Sequence, residues 1–158
     1  MALQMTNNEV MSHAFDTISA EASLKEAYQA LKKNMEGPPH APGLVVVDNN
    51  GKYAGVLTID DFMKELAKLH RSACDKPGRP RWLETFFGHC EIVGTMKVAE
   101  IMSGKRSSVP GGDMFEQSCE LILNKQLHLL VVVDENAKPL GIITRRKVLE
   151  AMAPRMFK

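Results

Sequence analysis

The chain has 158 residues, enough for one compact domain or two small, closely packed ones. Its 44% apolar and 25% charged residues and formal net charge of +1 describe an ordinary globular protein with a core, and exclude a nucleic-acid or membrane partner recognised by bulk charge. Cys74, Cys90 and Cys119 are too few and scattered for a disulfide framework. The longest apolar run, Leu129–Val133, is far short of a membrane span, and no segment has the order of a signal peptide, so a reducing cytoplasm is the expected location.

In chain order, the first strong signal is Ser23-x-x-Glu26, a capping box, opening a helix whose Leu24, Ala27 and Leu31 form an i, i+3, i+7 stripe. The segment Met35–Gly43, with Gly37-Pro38-Pro39-His40-Ala41-Pro42-Gly43, is a loop. Strand Leu44–Val47, the turn Asn49-Asn50-Gly51-Lys52 and strand Tyr53–Thr58 form a hairpin, and a helix runs from about Asp60 with Phe62 and Met63 opening its apolar face. His70–Arg81 begins as a helix end and becomes a loop. Trp82–Gly88 is an apolar cluster of helical character holding the single Trp and two of the six Phe. A second helix–strand–turn–strand–helix series follows: a looser cap Asp113-x-x-Glu116, a stripe Phe115, Ser118, Ile122, strands Leu129–Val133 and Leu140–Thr144 around the turn Glu135–Pro139, and a helix from about Arg145.

The two series are copies. Leu44-Val45-Val46-Val47-Asp48 matches Leu130-Val131-Val132-Val133-Asp134, and Gly55-Val56-Leu57-Thr58 matches Gly141-Ile142-Ile143-Thr144, both at an offset of 86. Upstream the offset is 91, pairing Val10-Met11 with Ile101-Met102 and Ile18-Ser19 with Val109-Pro110; the difference is an insertion in the Met35–Gly43 loop. Each copy is β–α–β–β–α with one apolar sheet face needing cover, which the other copy supplies.

The doubled Val-Val-Asp…Gly-hydrophobic-hydrophobic-Thr pattern, with Val98-x-x-Ile101-Met102 opening the second copy, resembles the CBS-domain family. The resemblance covers about residues 5–69 and 96–153, with 70–95 as an inserted linker. It implies an α/β fold of two tandem β-α-β-β-α CBS repeats packed with pseudo-two-fold symmetry. It also implies a non-catalytic regulatory module binding AMP, ADP, ATP or a related adenosyl ligand in clefts between the repeats, with no required cofactor. Such modules usually dimerise into a disk and regulate enzymes, channels or transporters, so the implied partners are a second copy and a regulated protein. The alternative reading is a dimerisation or protein-interaction module with vestigial clefts.

The family's nucleotide signature, Gly-x-x-Thr/Ser-x-x-Asp, is complete in the first repeat as Gly55, Thr58 and Asp61. Thr58 at a helix start offers donors to a phosphate, Asp61 one turn later can accept from ribose hydroxyls, and Gly55 lets backbone approach the ligand. Thr58 as an N-cap with Asp61 as its N3 partner is the competing, purely local reading. The second repeat has Thr144, Arg145, Arg146 and Lys147, with the donor-only Lys147 in the carboxylate's place. That cleft is either empty, a phosphate site without ribose contact, or a solvated basic helix start, and the expectation is one nucleotide per chain. The resemblance also implies ligand contacts from the segment before each first helix: Thr17, Ile18, Ser19 and Ala20, and Ser107, Ser108, Val109 and Pro110.

Other constellations rank lower. His70, Cys74, His89 and Cys90 include one i, i+4 pair, but the adjacent second pair turns its side chains apart, and neither zinc nor a Cys74–Cys90 redox response is expected. The sequence carries no nucleophile elbow, Walker loop or dinucleotide fingerprint. Met11, Met63, Met102 and Met152 read as core filling, and Trp82, Phe86 and Phe87 as a buried cluster rather than a partner-binding knob.

Overall fold

A computed structural model describes residues 4–37, 40–74, 82–103 and 108–157, except for the side chains of residues 73, 74, 82, 83 and 85. Each half contributes a short helix, a strand, a helix, a hairpin and a closing helix. The first half has α1 (Asn7–Val10), β1 (Thr17–Ser19), α2 (Leu24–Glu36), β2 (Gly43–Val47), β3 (Tyr53–Thr58) and α3 (Ile59–Cys74). The second has α5 (Val98–Ile101), β4 (Ser108–Pro110), α6 (Phe115–Lys125), β5 (Leu129–Val133), β6 (Pro139–Thr144) and α7 (Arg145–Met156), and α4 (Trp82–Val93) stands between them.

Two three-stranded sheets have the same order, β1-β2-β3 and β4-β5-β6, with the first pair parallel and the second antiparallel. The strands are apolar on both faces because both faces are covered. Leu44, Val46 and Leu57 meet Leu24, Ala27 and Leu31 of α2, and Leu130, Val132 and Ile143 meet Phe115, Cys119 and Ile122 of α6. The alternate residues Val45, Val56, Leu129, Val131 and Ile142 pack sheet against sheet in a third cluster. The pseudo-two-fold α/β sandwich therefore follows from the period-two pattern of strands that have no polar face.

The copies also exchange their leading segments. Asn7 N–H donates to the Asp113 carbonyl at 2.8 Å and Asn8 N–H to Gly111 at 2.9 Å; at the matching places, Val98 donates to Ala22 and Ala99 to Ala20, both at 2.9 Å. Asn7 is fully buried in this exchange, its amide donating to the Pro110 carbonyl and accepting from Ser118 Oγ. The exchanged segments also finish the long helices. Leu24 N–H of α2 donates to the Met96 carbonyl and Phe115 N–H of α6 to the Met5 carbonyl.

The helix starts show one departure from the sequence reading. Ser23 does cap α2, accepting from Glu26 N–H at 3.2 Å, but α6 begins after Met114, whose side chain makes no cap bond, so Asp113 is not its cap. Capping carboxylates the sequence reading passed over sit on the two short helices: Thr6 N–H donates to Glu9 and Lys97 N–H to Glu100, both at 2.7 Å. The insertion is more helical than expected, with α3 running to Cys74 and α4 to Val93, packed on each other.

Candidate functional site

The hairpin turns account for the matched aspartates. Asp48 Oδ1 accepts from Asn50 and Lys52 N–H, and Asp134 Oδ1 from Asn136 and Lys138 N–H, so each is spent in closing its turn. The candidate side chains lie at the other end of the hairpins, where β3 runs into α3 and β6 into α7.

Two clefts open there, each walled by both repeats. The smaller, about 210 Å³, is lined by Thr58, Asp60, Asp61 and Lys64 from the first repeat and by Ser103, Lys125, Gln126, Leu127 and His128 from the second. The larger, about 370 Å³, takes Thr144, Arg145, Arg146, Lys147 and Glu150 from the second repeat and Ser12, Ala14, His40, Ala41 and Pro42 from the first. The correspondence is close: His40 and Gln126, 86 residues apart, both hold left-handed backbone, at φ 54° and 52°. His128 borders both clefts and is hydrogen-bonded to Asp60 across the repeats.

Asp61 is buried, 5% exposed, in the first turn of α3. Its Oδ2 accepts from Thr58 N–H at 2.8 Å and Thr58 Oγ at 3.3 Å, and its Oδ1 accepts from Ser103 Oγ at 2.6 Å. The carboxylate thus serves as the N3 partner of the helix start while lining the cleft, so the local reading of Thr58 and Asp61 holds and uses one of the two oxygens. In the second repeat Thr144 is the N-cap, accepting from Lys147 N–H at 3.3 Å. Charge inverts between matched positions: Asp60 and Asp61 face one cleft, Arg146 and Lys147 the other. Arg145 Nε and Nη2 donate to the Leu127 and Gln126 carbonyls, while Arg146 and Lys147 approach Glu150 at 3.7 and 3.9 Å. Three cations in a first turn without an acid oppose the helix dipole, and an anion in the larger cleft would relieve that.

Gly55 has a task within the fold. A Cβ there would meet the Ser103 carbonyl at 2.5 Å, and at the matched Gly141 the Met11 sulfur and Ser12 carbonyl, both at 2.7 Å. These glycines permit the close approach of the exchanged backbone, hydrogen-bonded to Val56 and Ile142. The segments before the long helices are the leading strands of the β–α–β–β–α pattern. Thr17, Ile18 and Ser19 are β1, paired with Val45, Val46 and Val47; Ser108, Val109 and Pro110 are β4, paired with Val131, Val132 and Val133. Ala20 is buried in the first core. The linings of the two clefts do not include them, and Pro110 lines a separate cavity with Asp134 and Asn136. Ser107 lies outside the described residues.

The sequence reading missed Ser12 and Ser103, although the matched Val10-Met11 and Ile101-Met102 each run directly into them. His40, Gln126 and His128 carried no such signal, since only the fold brings these loops to the other repeat's helix. In the insertion His70 packs edge-on against Phe86 at 6.1 Å between ring centroids, while the side chains of Cys74 and Trp82 lie outside the described residues. Among the described residues no group of three metal-ligating side chains converges, and no helix is long and apolar enough to cross a membrane. Cys119 is buried in the second core, which pushes its thiol pKa up.

Known proteins share this arrangement. CBSX2, solved in complex with AMP, superposes with a TM-score of 0.67 at 22% identity, over 97% of this chain and 98% of that one. A Methanocaldococcus jannaschii protein described as a proposed archaeal homologue of g-AMPK gives a TM-score of 0.72 at 21% identity, over 94% of this chain and 48% of its own. The cytosolic domain of the Mg2+ channel MgtE, solved with ATP, gives 0.64 at 21%, over 90% and 46%. These identities speak for the fold alone. No curated protein matches the chain. The CBS-domain family model matches residues 8–68 and 98–154, the two copies that exchange their leading segments, and the chain belongs to the CBS-domain family as a tandem pair.

Proposed function

We propose that this CBS pair is a non-catalytic regulatory module that binds an adenine nucleotide, AMP, ADP or ATP, in the smaller cleft, with its ribose on Asp61. The observation that carries this reading is a buried carboxylate at a helix start, lining a cleft between the repeats, with one oxygen committed to the helix and the other facing a single exchangeable hydroxyl. The AMP and ATP held by CBSX2 and by the MgtE domain support the ligand class. The larger cleft, with Lys147 in the carboxylate's place, holds no ribose and is left to a simple anion on Arg145, Arg146 and Lys147. The nucleotide acts as a regulatory ligand for a partner protein, and no cofactor is required.

The module is proposed to act as a homodimer. Met63 of α3, which lies at the surface rather than filling the core as its sequence position suggested, and Leu149 of α7 occupy matched positions and are both 55% exposed, and Ile59 lies one turn before Met63. Two such helix ends give an apolar face that a second copy covers. Light scattering at about 50 μM should give twice the chain mass, and Met63→Asp with Leu149→Asp should halve it. The ligand is tested by thermal shift with AMP, ADP, ATP and S-adenosylmethionine. A nucleotide that binds the native state raises the midpoint with concentration, and a flat response to all four overturns the reading. A flat response would favour an interaction module with vestigial clefts, the reading that the internal satisfaction of both Asp61 oxygens also supports.

A further inference from the structure

The carboxylate of Asp61 is already engaged. Oδ2 is held by two donors of Thr58, and Oδ1 takes the Ser103 hydroxyl at 2.6 Å. A carboxylate oxygen has a second lone pair, but a ribose hydroxyl reaching Oδ1 from the cleft meets the Ser103 hydroxyl as a competitor. The Ser103 backbone is itself paired. Ser103 N–H donates to the Val56 carbonyl at 2.9 Å, Val56 N–H returns the bond at 3.3 Å, and the Ser103 carbonyl rests over Gly55 where a Cβ would be 2.5 Å away. Rotation of the side chain about χ1 vacates Oδ1 without breaking that pairing.

The larger cleft gives the same backbone with the opposite outcome. Ser12 is paired with Ile142 by bonds of 2.8 and 2.9 Å over Gly141, as Ser103 is with Val56 over Gly55. Facing Lys147, which cannot accept, the Ser12 oxygen instead accepts from Ala14 N–H at 3.2 Å. The bond between serine and carboxylate is therefore a property of the Asp61 cleft and not of the fold.

We propose that Ser103 is an affinity-setting residue of the nucleotide cleft: its hydroxyl occupies the carboxylate oxygen that the ribose needs, and binding exchanges one hydroxyl for another. The proposal rests on the reading that the ribose is taken by Asp61. The exchange keeps a buried carboxylate satisfied in both states, since an empty Oδ1 would carry the cost of an unpaired buried charge. It also lowers affinity, because each ligand must displace a short, charge-assisted bond.

The test is calorimetric titration of wild type, Ser103→Ala, Ser103→Thr and Asp61→Ala with AMP and with ATP. Removing the competitor should tighten binding by about three- to tenfold in Ser103→Ala, while Ser103→Thr, which keeps the hydroxyl, should stay near wild type. A residue with a merely structural role would not tighten binding when truncated. Ser103→Ala at or below wild-type affinity, with Asp61→Ala abolishing binding, overturns the role of Ser103 and leaves the site standing. No binding of AMP or ATP by wild type or Ser103→Ala overturns both. Binding by Ser103→Ala where wild type shows none supports the exchange in its strongest form.

Discussion

Replacing Asp61 by Ala separates two tasks that one carboxylate performs. The first is structural. Truncation leaves Thr58 N–H, in a residue only 7% exposed, without its 2.8 Å acceptor, and frees the Ser103 hydroxyl. Loss of a helix-start partner costs about 1 kcal/mol, and an unsatisfied buried N–H about 1–3 kcal/mol; the two overlap, so about 2 kcal/mol is expected. For a chain of this length that lowers Tm by about 4–8 °C, so the variant folds and its binding can be measured at 20–25 °C, roughly. The second task is ligation. Losing charge-assisted bonds to ribose hydroxyls costs about 1.5–3 kcal/mol, which weakens AMP binding by about ten- to more than a hundredfold. Urea unfolding gives the first quantity and calorimetric titration the second. Asp61→Asn, which keeps an acceptor oxygen, should recover part of the stability without the affinity. Wild-type affinity in Asp61→Ala would refute the ligand assignment, and wild-type stability would refute the helix-start role.

Three further outcomes are expected. Lys147→Asp restores the ribose-accepting position in the second repeat, so titration should move from one nucleotide per chain toward two; two equivalent nucleotides on the wild type would show that the carboxylate is dispensable. Ala137 holds φ 63° where its counterpart Gly51 holds 76°, so Ala137→Gly should stabilise the protein by about 0.5–1 kcal/mol, and an unchanged or lower melting midpoint would count against strain at that turn. The Glu9 carboxyl is held below its ordinary 4.5, first by the Thr6 backbone N–H and then by the Thr6 hydroxyl. A lowered native pKa contributes stability above the unfolded value that is lost as pH falls through the native one. The amides of Asn7 and Asn8 should therefore exchange faster, after correction for intrinsic rates, as pH drops below about 4.5, and Glu9→Gln should remove that dependence.

The repeat, the strands, the hairpin turns and the α/β class were all legible in the sequence. Each rests on local chemistry: a run of Val and Leu between turn residues, an Asn-Gly turn, a three-four apolar stripe. Thr58 and Asp61 were legible for the same reason, since a helix start and its N3 partner are three residues apart. What the sequence left open depends on segments far apart in the chain. That Gly55 makes room for Ser103 requires the exchange of leading segments, a contact across 48 residues of sequence. The same exchange supplies the Met5 and Met96 carbonyls to the long helices, and Asp113 stands one residue before the N-cap Met114. Thr17–Ala20 and Ser107–Pro110 entered as ligand contacts through the family resemblance alone. Pairing with β2 and β5 makes Thr17–Ser19 and Ser108–Pro110 strands, a long-range contact that three residues cannot announce. The resemblance implied clefts between the repeats, but only the tertiary structure decided which residues of the opposite copy wall each one, because a wall that takes His128 or His40 from the other repeat has no signature at either site's own positions in the sequence.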